Sequence, residues 1–561
     1  MIRKVIFFSF FFLSTQLSAQ QKQLQRPNII WITCEDISPF IGAYGFSGVR
    51  TPNIDQLAKE GVRYTSVYTT AGVCAPSRSA IITGMYQTSI GTHHMRTIGD
   101  PKYQPVPSYS AVIPSYVRCF PEYLRKAGYY CTNNEKQDYQ FEAPVTVWDE
   151  SSAAASHTNR APGQPIFAVY NFFITHESQQ FARRDSLLVD PNKVDVPLLY
   201  PNTENVRKDL ARLYTNIERM DQQVGELINS LKQEGLYDNS YIFFFSDHGG
   251  ALPWMKREVL ERGTHIPFLI RYPKGENSGM INDNLISAVD LAPSVLSLAK
   301  ITVPAYMQGQ AFLGKQKSKS TRKYVFAARD RMDTEYDRVR MVRDTGFRYI
   351  YNFMPEKINY QNIEFRMSMA MMKDIIKLKE EGKLSAEQMN WFKSKPIEEL
   401  YHVATDPFEF NNLSASPMYK EKLNELRTAM KNWVDEVGDM GSIPEAVMIK
   451  QMWNGKDTVP HTAQATIKLQ GKKIQLSCST EGASIGYRIL KSSTTDQKKM
   501  STIKTWDMGS AYANSNGRAI PAAIVWKVYD GESIALQKGE TLEVNTMRIG
   551  FKSALIQYQM Q

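Results

Sequence analysis

The sequence predicts an α/β protein: a doubly wound, mostly parallel sheet flanked by helices, a smaller α+β C-terminal subdomain, and an appended small β domain. Three observations carry that expectation. Continuous apolar runs recur up to about residue 300: "NIIWIT" at 28–33, "IFAVYNFFIT" at 166–175, "SYIFFFS" at 240–246 and "PFLIRY" at 267–272. Runs that are apolar throughout, rather than alternating, belong to strands covered on both faces, as in parallel sheets. Between the second and third runs, Val206, Leu210, Leu213, Ile217, Met220, Val224, Ile228 and Leu231 fall at helical spacing, so this stretch should cover one face of the sheet. From about Lys315 the texture changes to short strand candidates, "YVFAARD", "VRMVRD" and "FRYIYNF", followed by charged helical segments ending near Val437.

The elements divide the chain into a leader over 1–19, a catalytic α/β unit over 26–314, a subdomain over 315–440 and a β unit over 460–561. The leader is read from Arg3 and Lys4 before an apolar run from Val5 to Leu13, then small residues up to Ser18-Ala19-Gln20. That is the layout of a cleaved secretory signal, and the run is too short to span a bilayer. A secreted or periplasmic protein is expected, with no integral membrane association. The subdomain is closed by "ELYHVATDPFEFNNLS", and the tail is read from the alternation in "KIQLSCS" and "SIGYRIL". The composition is ordinary for a globular chain, and 67 Lys+Arg against 57 Asp+Glu makes it mildly basic. No basic run with interleaved aromatics is present, which argues against nucleic acid and for smaller or polymeric anions.

The chemistry gathers at the strand ends. "NIIWIT" runs into Cys34-Glu35-Asp36, "SYIFFFS" into Asp247-His248-Gly249, and "YNFFIT" into His176-Glu177. In an open α/β sheet, ligands bind outside the carboxyl ends of the strands. A single such end reads equally well as solvated turn residues. Three ends delivering acids and imidazoles to one edge read as a site, and carboxylates there suit a hard divalent cation. Five cysteines, Cys34, Cys74, Cys119, Cys131 and Cys478, are an odd number for an exported chain. At least one should stay unpaired. Cys119 with Cys131 is a conceivable bridge, and Cys74 is the natural odd one out.

Cys74-Ala75-Pro76-Ser77-Arg78, with Thr83-Gly84 downstream, resembles the modification signature of the type I sulfatases in the alkaline phosphatase superfamily. The resemblance extends over roughly Arg26 to Val437, and parts of the core are similar to the heparan N-sulfatase branch. It implies that Cys74 is oxidised to formylglycine by a maturation enzyme. The hydrated aldehyde would then attack sulfur with one oxygen and expel sulfate through the other. It further implies a divalent site of Glu35, Asp36, Asp247 and His248 with an oxygen from modified Cys74, usually calcium. Glu35 stands where the family more often has Asp, and His248 where many members have Asn. Imidazole is a poor calcium ligand, which leaves manganese or zinc open. By the same resemblance Arg78 stabilises the nucleophile, and Lys136, Lys256 and His176 surround the sulfate.

Asp138 replaces the histidine usual after the lysine at 136. The acid for the leaving oxygen is therefore His176 first and Lys256 second, with His93 or His94 as a third option. His93, His94, Asp138, Arg331 and Asp333 are candidates for substrate contact; Glu335 and Tyr336 lie in the same segment. The implied substrate is a sulfated glycan or oligosaccharide, through O- or N-sulfate. Phosphonate monoester hydrolases that share the pentapeptide, and a non-catalytic glycan-binding protein using the tail, are the alternatives.

Overall fold

The computed structural model describes residues 26–98, 106–471, 473–490 and 525–560; the leader expected over 1–19 lies outside them. The central sheet comprises β1 (Asn28–Cys34), β2 (Val62–Tyr64), β3 (Tyr130–Asn134), β4 (Glu150–Ser151), β5 (Ile166–Phe172), β6 (Ser240–Ser246), β7 (Phe268–Arg271) and β8 (Met280–Asn282), in the order β4-β3-β5-β1-β6-β7-β2-β8. β1 is central and pairs in parallel with both β5 and β6. Its alternate side chains serve opposite layers. Ile30 and Ile32 join the core under the long helix, whereas Ile29 and Trp31 enter the core on the other face. There the Trp31 ring stands edge-on to Phe167 and Phe245, with centroids 5.1 and 5.2 Å away.

Helices cover both faces, as expected of a doubly wound sheet. α1 (Cys74–Thr83) buries Ile81 and Ile82 on the Trp31 face. α2 (Glu204–Gln233) starts at Thr203, whose hydroxyl accepts the Val206 N–H. All eight apolar positions read at helical spacing in it are buried. One strand departs from expectation. "PFLIRY" is apolar throughout, yet β7 runs antiparallel to β6 and to β2. An apolar run reports burial, not direction. Direction is decided by the connection, and no crossover helix spans the sheet between β6 and β7; the chain lingers at the carboxyl edge and returns from it.

The subdomain forms an antiparallel sheet of β9 (Val325–Arg329), β10 (Val339–Arg343), β11 (Phe347–Asn352) and β12 (Glu398–His402), paired in that order. α3 (Lys420–Val437) packs Leu423, Leu426 and Met430 onto Val342, Tyr349 and Leu400. The tail folds as a three-stranded and a four-stranded antiparallel sheet around Ile474, Tyr487, Leu542 and Val544. It docks on the first unit through Ser484 Oγ to Glu122 (2.6 Å) and Arg548 Nη2 to the Ile113 carbonyl (2.9 Å). All five cysteines are free thiols, so the conceivable Cys119–Cys131 bridge is not formed. Both sit in the apolar layer behind Trp31, where burial pushes their thiols well up and keeps them protonated. Among the described residues no helix is long and apolar enough to cross a membrane.

The first unit and the subdomain meet across buried charges. Arg348 ion-pairs with Glu409 at 2.8 Å and with Glu261 at 2.5 Å, and Glu409 also accepts the Glu261 N–H at 2.8 Å. Burial pushes the Glu409 carboxyl up to about 7, against the pull of Arg348 and Arg262. Its proton is therefore bound more tightly in the folded chain. The stability this contributes is complete below the ordinary glutamate range and is lost as pH rises through about 7. The melting-temperature advantage of the wild type over Glu409→Gln should accordingly shrink between about pH 5 and about pH 8, as paired thermal melts would show.

Candidate active site

The strand ends do converge. Glu35 and Asp36 follow β1, and Asp36 adopts φ +54°, a turn that aims its carboxylate back over the sheet edge. Asp247 and His248 follow β6, and the Asp36 N–H donates to Asp247 Oδ1 at 3.2 Å. Gly249 follows at a spot where a Cβ would lie 2.3 Å from the Arg262 carbonyl oxygen, so only glycine lets the Asp247-His248 turn pack there. Cys74 is the first residue of α1. The last turn of that helix is closed by Gly84 at φ +68°, its N–H donating to the Ala80 carbonyl, which accounts for the Thr-Gly that follows the pentapeptide.

Cys74 Sγ lies 3.2 Å from His248 Nε2, 3.8 Å from Asp36 Oδ1 and 3.9 Å from Glu35 Oε2. His248 Nε2 is 2.9 Å from Asp36 Oδ1. One ligand atom each from Asp36, Cys74, Asp247 and His248 lies within 4.8 Å of the others, as do those of Glu35, Asp36, Cys74 and His176. Every member is buried. Converging buried carboxylates fit a divalent cation. They offer several oxygens, and the imidazole widens the choice beyond strictly hard ions.

Fixed cations surround these acids. Arg78 reaches Asp247 Oδ2 with Nε (3.0 Å), Asn171 Oδ1 with Nη1 (3.0 Å), and Glu35 with Nη2. Lys136 pairs with Glu35, and Lys256 with Asp36. Burial opposes ionisation of Asp36, but Lys256 and His248 outweigh it and hold the carboxyl well below its usual range. Asp247 is lowered likewise, against burial, by His248 and Arg78. Glu35 goes the other way: burial outweighs Arg78 and Lys136, and its carboxyl is raised. Burial followed by Lys256 drives His176 well below the ordinary histidine range. The Ser178 N–H donates to its Nδ1 at 3.2 Å, so the neutral ring carries its proton on Nε2.

Other expected residues lie elsewhere or do other work. Asp138 is partly exposed at φ +53°, 3.6 Å from Lys136, beside the cluster. Arg331 was a candidate for substrate contact, but its side chain is fully buried. It pairs with Glu445 at 2.6 and 2.8 Å and donates to the Met95 and Asp333 carbonyls, which commits four of its five N–H donors within the protein. Its role is to hold its loop. Asp333 is buried beside Arg96, 2.7 Å away. His93 and His94 lie against one another, ring centroids 4.2 Å apart, among Asp330, Arg331 and Arg340. They stand apart from the carboxylate cluster and are not placed to protonate a group leaving it.

Three residues escaped the sequence reading of the site. Glu177 receives both Nη groups of Arg257 (2.9 and 2.8 Å) and lies 3.6 Å from Lys256. Asn171 joins Arg78 to Asn133, donating to Asn133 Oδ1 at 2.9 Å. Its signal was present: one amide inside an otherwise apolar strand. Glu177 and Arg257 adjoin His176 and Lys256 in sequence, but nothing local marks them as an ion pair. Counted together, Glu35, Asp36, Asp247 and Glu177 oppose Arg78, Lys136, Lys256 and Arg257. His248 apart, acids and fixed cations are matched one for one, and a divalent cation would add the positive charge that binding an anion requires.

Comparison with known proteins follows the same lines. The Sulfatase family model matches residues 27–301, and the model of the N-sulphoglucosamine sulphohydrolase C-terminal region matches 250–357. An ulvan-active sulfatase of Formosa agariphila is 42% identical over 95% of this chain and 91% of its own length. Among solved structures, a 2-O GAG sulfatase superposes with TM-score 0.55 at 19% identity, over 74% of this chain and 93% of its own. A phosphonate monoester hydrolase of Silicibacter pomeroyi gives TM-score 0.55 at 16% identity, over 74% and 96%; at that distance both share the fold and no more. At 42% identity to a named sulfatase over nearly its whole length, the chain belongs to the sulfatase family of sulfate-ester hydrolases, with a core like that of the heparan N-sulfatases.

Proposed function

We propose that the protein is an exported sulfatase that removes sulfate from a sulfated polysaccharide through formylglycine made from Cys74. The observation that carries this reading is the position of Cys74 itself. It is the first residue of a buried helix and touches the carboxylate–imidazole cluster from which two β-strands end. The glycan substrate is supported by the 42% identical relative, named for its action on ulvan. Export is supported by the leader-like layout of residues 1–19.

Residues Glu35, Asp36, Asp247 and His248, with residue 74, would hold a divalent cation; calcium suits the carboxylates, and His248 extends the range to manganese or zinc. Such an ion would polarise the sulfate oxygens and stabilise an anionic nucleophile. Formylglycine would contribute a hydrated aldehyde with one oxygen to attack sulfur and a second hydroxyl to expel sulfate. The remaining work belongs to groups already in place. The N-terminus of α1 directs unpaired backbone N–H groups at an incoming anion. Arg78 is fixed by Asp247, Asn171 and Glu35, so it needs no reorganisation when charge develops at residue 74. Lys136 and Lys256 keep their protons because the anionic groups beside them, Cys74 and Glu35 at Lys136 and Asp36 and Cys74 at Lys256, outweigh their burial. His176 carries its proton on Nε2 and brings a ring nitrogen within 4.8 Å of Asp36 and Cys74, fitting it to hydrogen-bond the leaving oxygen, with Lys256 as the neighbouring charged donor. The maturation enzyme, the glycan and the position of the sulfate belong to this proposal.

Three outcomes test it. Cys74→Ala should abolish sulfate release from sulfated polysaccharide, and the tryptic mass of active wild type should carry an aldehyde at residue 74; an unmodified thiol in fully active protein would sink the reading. Prolonged treatment with chelator should remove activity, which elemental analysis and re-addition of calcium or manganese would trace to the ion. His176→Ala should lower kcat by about a hundredfold to a thousandfold on an alkyl sulfate, and much less on an aryl sulfate whose leaving group needs no proton. Rates on matched aryl sulfate and aryl phosphonate would expose a phosphonate hydrolase.

A further inference from the structure

A second cavity opens beside the loop that carries Arg331. Its volume is about 330 Å³, enough for a pyranose ring, and its lining includes His94, Asp330, Arg331, Tyr336, Arg338, Phe353 and the 441–445 segment with Glu445. The loop also links it to the nucleophile, since Met332 packs with Val73 and Ala75 on either side of Cys74.

Most charges on its wall are already committed. Glu445 is bound by Arg331 and by the Tyr336 hydroxyl, and Asp337 by Arg329 and Lys395. Three groups are not. His94 is 3% exposed, and its Nδ1 accepts the Arg331 N–H at 3.3 Å. Its proton therefore resides on Nε2, a buried donor with no acceptor among the described residues. Burial and the neighbouring His93 and Arg331 keep that ring neutral. Arg338 lies 3.9 Å over the Phe353 ring and no nearer than 3.9 Å to Asp439, and its buried Nε also lacks an acceptor. Asp330 spends Oδ1 on Arg340 at 3.1 Å while its buried Oδ2 has no donor. Leaving a buried polar group unmatched is costly, so three such groups in residues lining one cavity mark a place where a ligand supplies the partners.

The geometry points to a saccharide subsite here, distinct from the cluster around Cys74, that takes an acidic sugar unit of the polymer. Its carboxylate or sulfate meets Arg338 and His94 Nε2–H, a ring hydroxyl donates to Asp330, and the pyranose face lies on Tyr336 and Phe353. This rests on the reading of the protein as a glycan sulfatase, but its test does not need turnover.

The test is calorimetric titration of the full chain carrying Cys74→Ala with three disaccharides: one ending in a uronic acid, one ending in a sulfated hexose, and a neutral counterpart. At least one acidic disaccharide should bind about tenfold or more tighter than the neutral one, and the stronger of the two names the acid. Arg338→Ala should erase that margin and Arg338→Lys restore part of it. If Arg338→Ala melts early, His94→Phe, which keeps the ring but not the donor, should reduce the margin instead. Equal binding of acidic and neutral sugars, or a margin that survives both substitutions, overturns the subsite. A margin in the variant, with a wild-type protein that releases no sulfate, would overturn the sulfatase reading and leave the subsite standing. Sulfate release without any margin would do the reverse.

Discussion

Buried charge at the carboxyl edge of β1 and β6 is the constraint around which this molecule is built. Three carboxylates, Glu35, Asp36 and Asp247, stand there out of water, and each is matched by a cation from a different part of the chain: Lys136 from the loop after β3, Lys256 from the loop after β6, and Arg78 from α1. Removing one partner of such a pair typically costs about 3–5 kcal/mol, because the other is left charged and dry. The loops and the helix that carries Cys74 are therefore held in register by electrostatics as much as by packing. The one-for-one matching of carboxylates with lysines and arginines, and the positive balance a divalent ion would add, follow from the same arrangement.

That balance explains the mixed sheet. The segment between β6 and β7 stays at the carboxyl edge instead of crossing over, and this keeps Lys256 and Arg257 beside the acids they serve. The antiparallel β7 is a consequence of that return. The same segment carries Glu258 and Glu261 to the subdomain, where they meet Arg329 and Arg348. The catalytic edge and the subdomain are thus connected by one run of chain. Arg331, buried on Glu445, continues the connection to the segment that follows α3. Shape at the pocket mouth depends on these ion pairs.

Much of this was legible in the residues. Apolar runs located β1, β5, β6 and β7, helical spacing located α2, and strand ends marked Glu35, Asp36, Asp247, His248 and His176 as neighbours before any geometry was known. Proximity in sequence to a recognisable pentapeptide placed Cys74 and Arg78 on one helix face. The reading failed where a role depends on what lies across space. Arg331 has the composition of a sugar-binding residue, but Glu445, more than a hundred positions away, takes its donors. His93 and His94 lie near Cys74 in sequence but sit among Asp330, Arg331 and Arg340, away from the place of an acid for a group leaving the cluster. Glu177 and Arg257 are unremarkable until they face each other.

The sequence by itself determined the fold class, the covered strands and the set of groups delivered to one sheet edge, because periodicity and strand termini are local properties of a chain. The direction of β7, the free state of Cys119 and Cys131, and the division of buried polar groups into satisfied and unsatisfied ones were decided only in the folded molecule. Those outcomes depend on which distant donors and acceptors come within hydrogen-bond reach, and on how far burial shifts proton affinity once they do. No window along the chain contains that information.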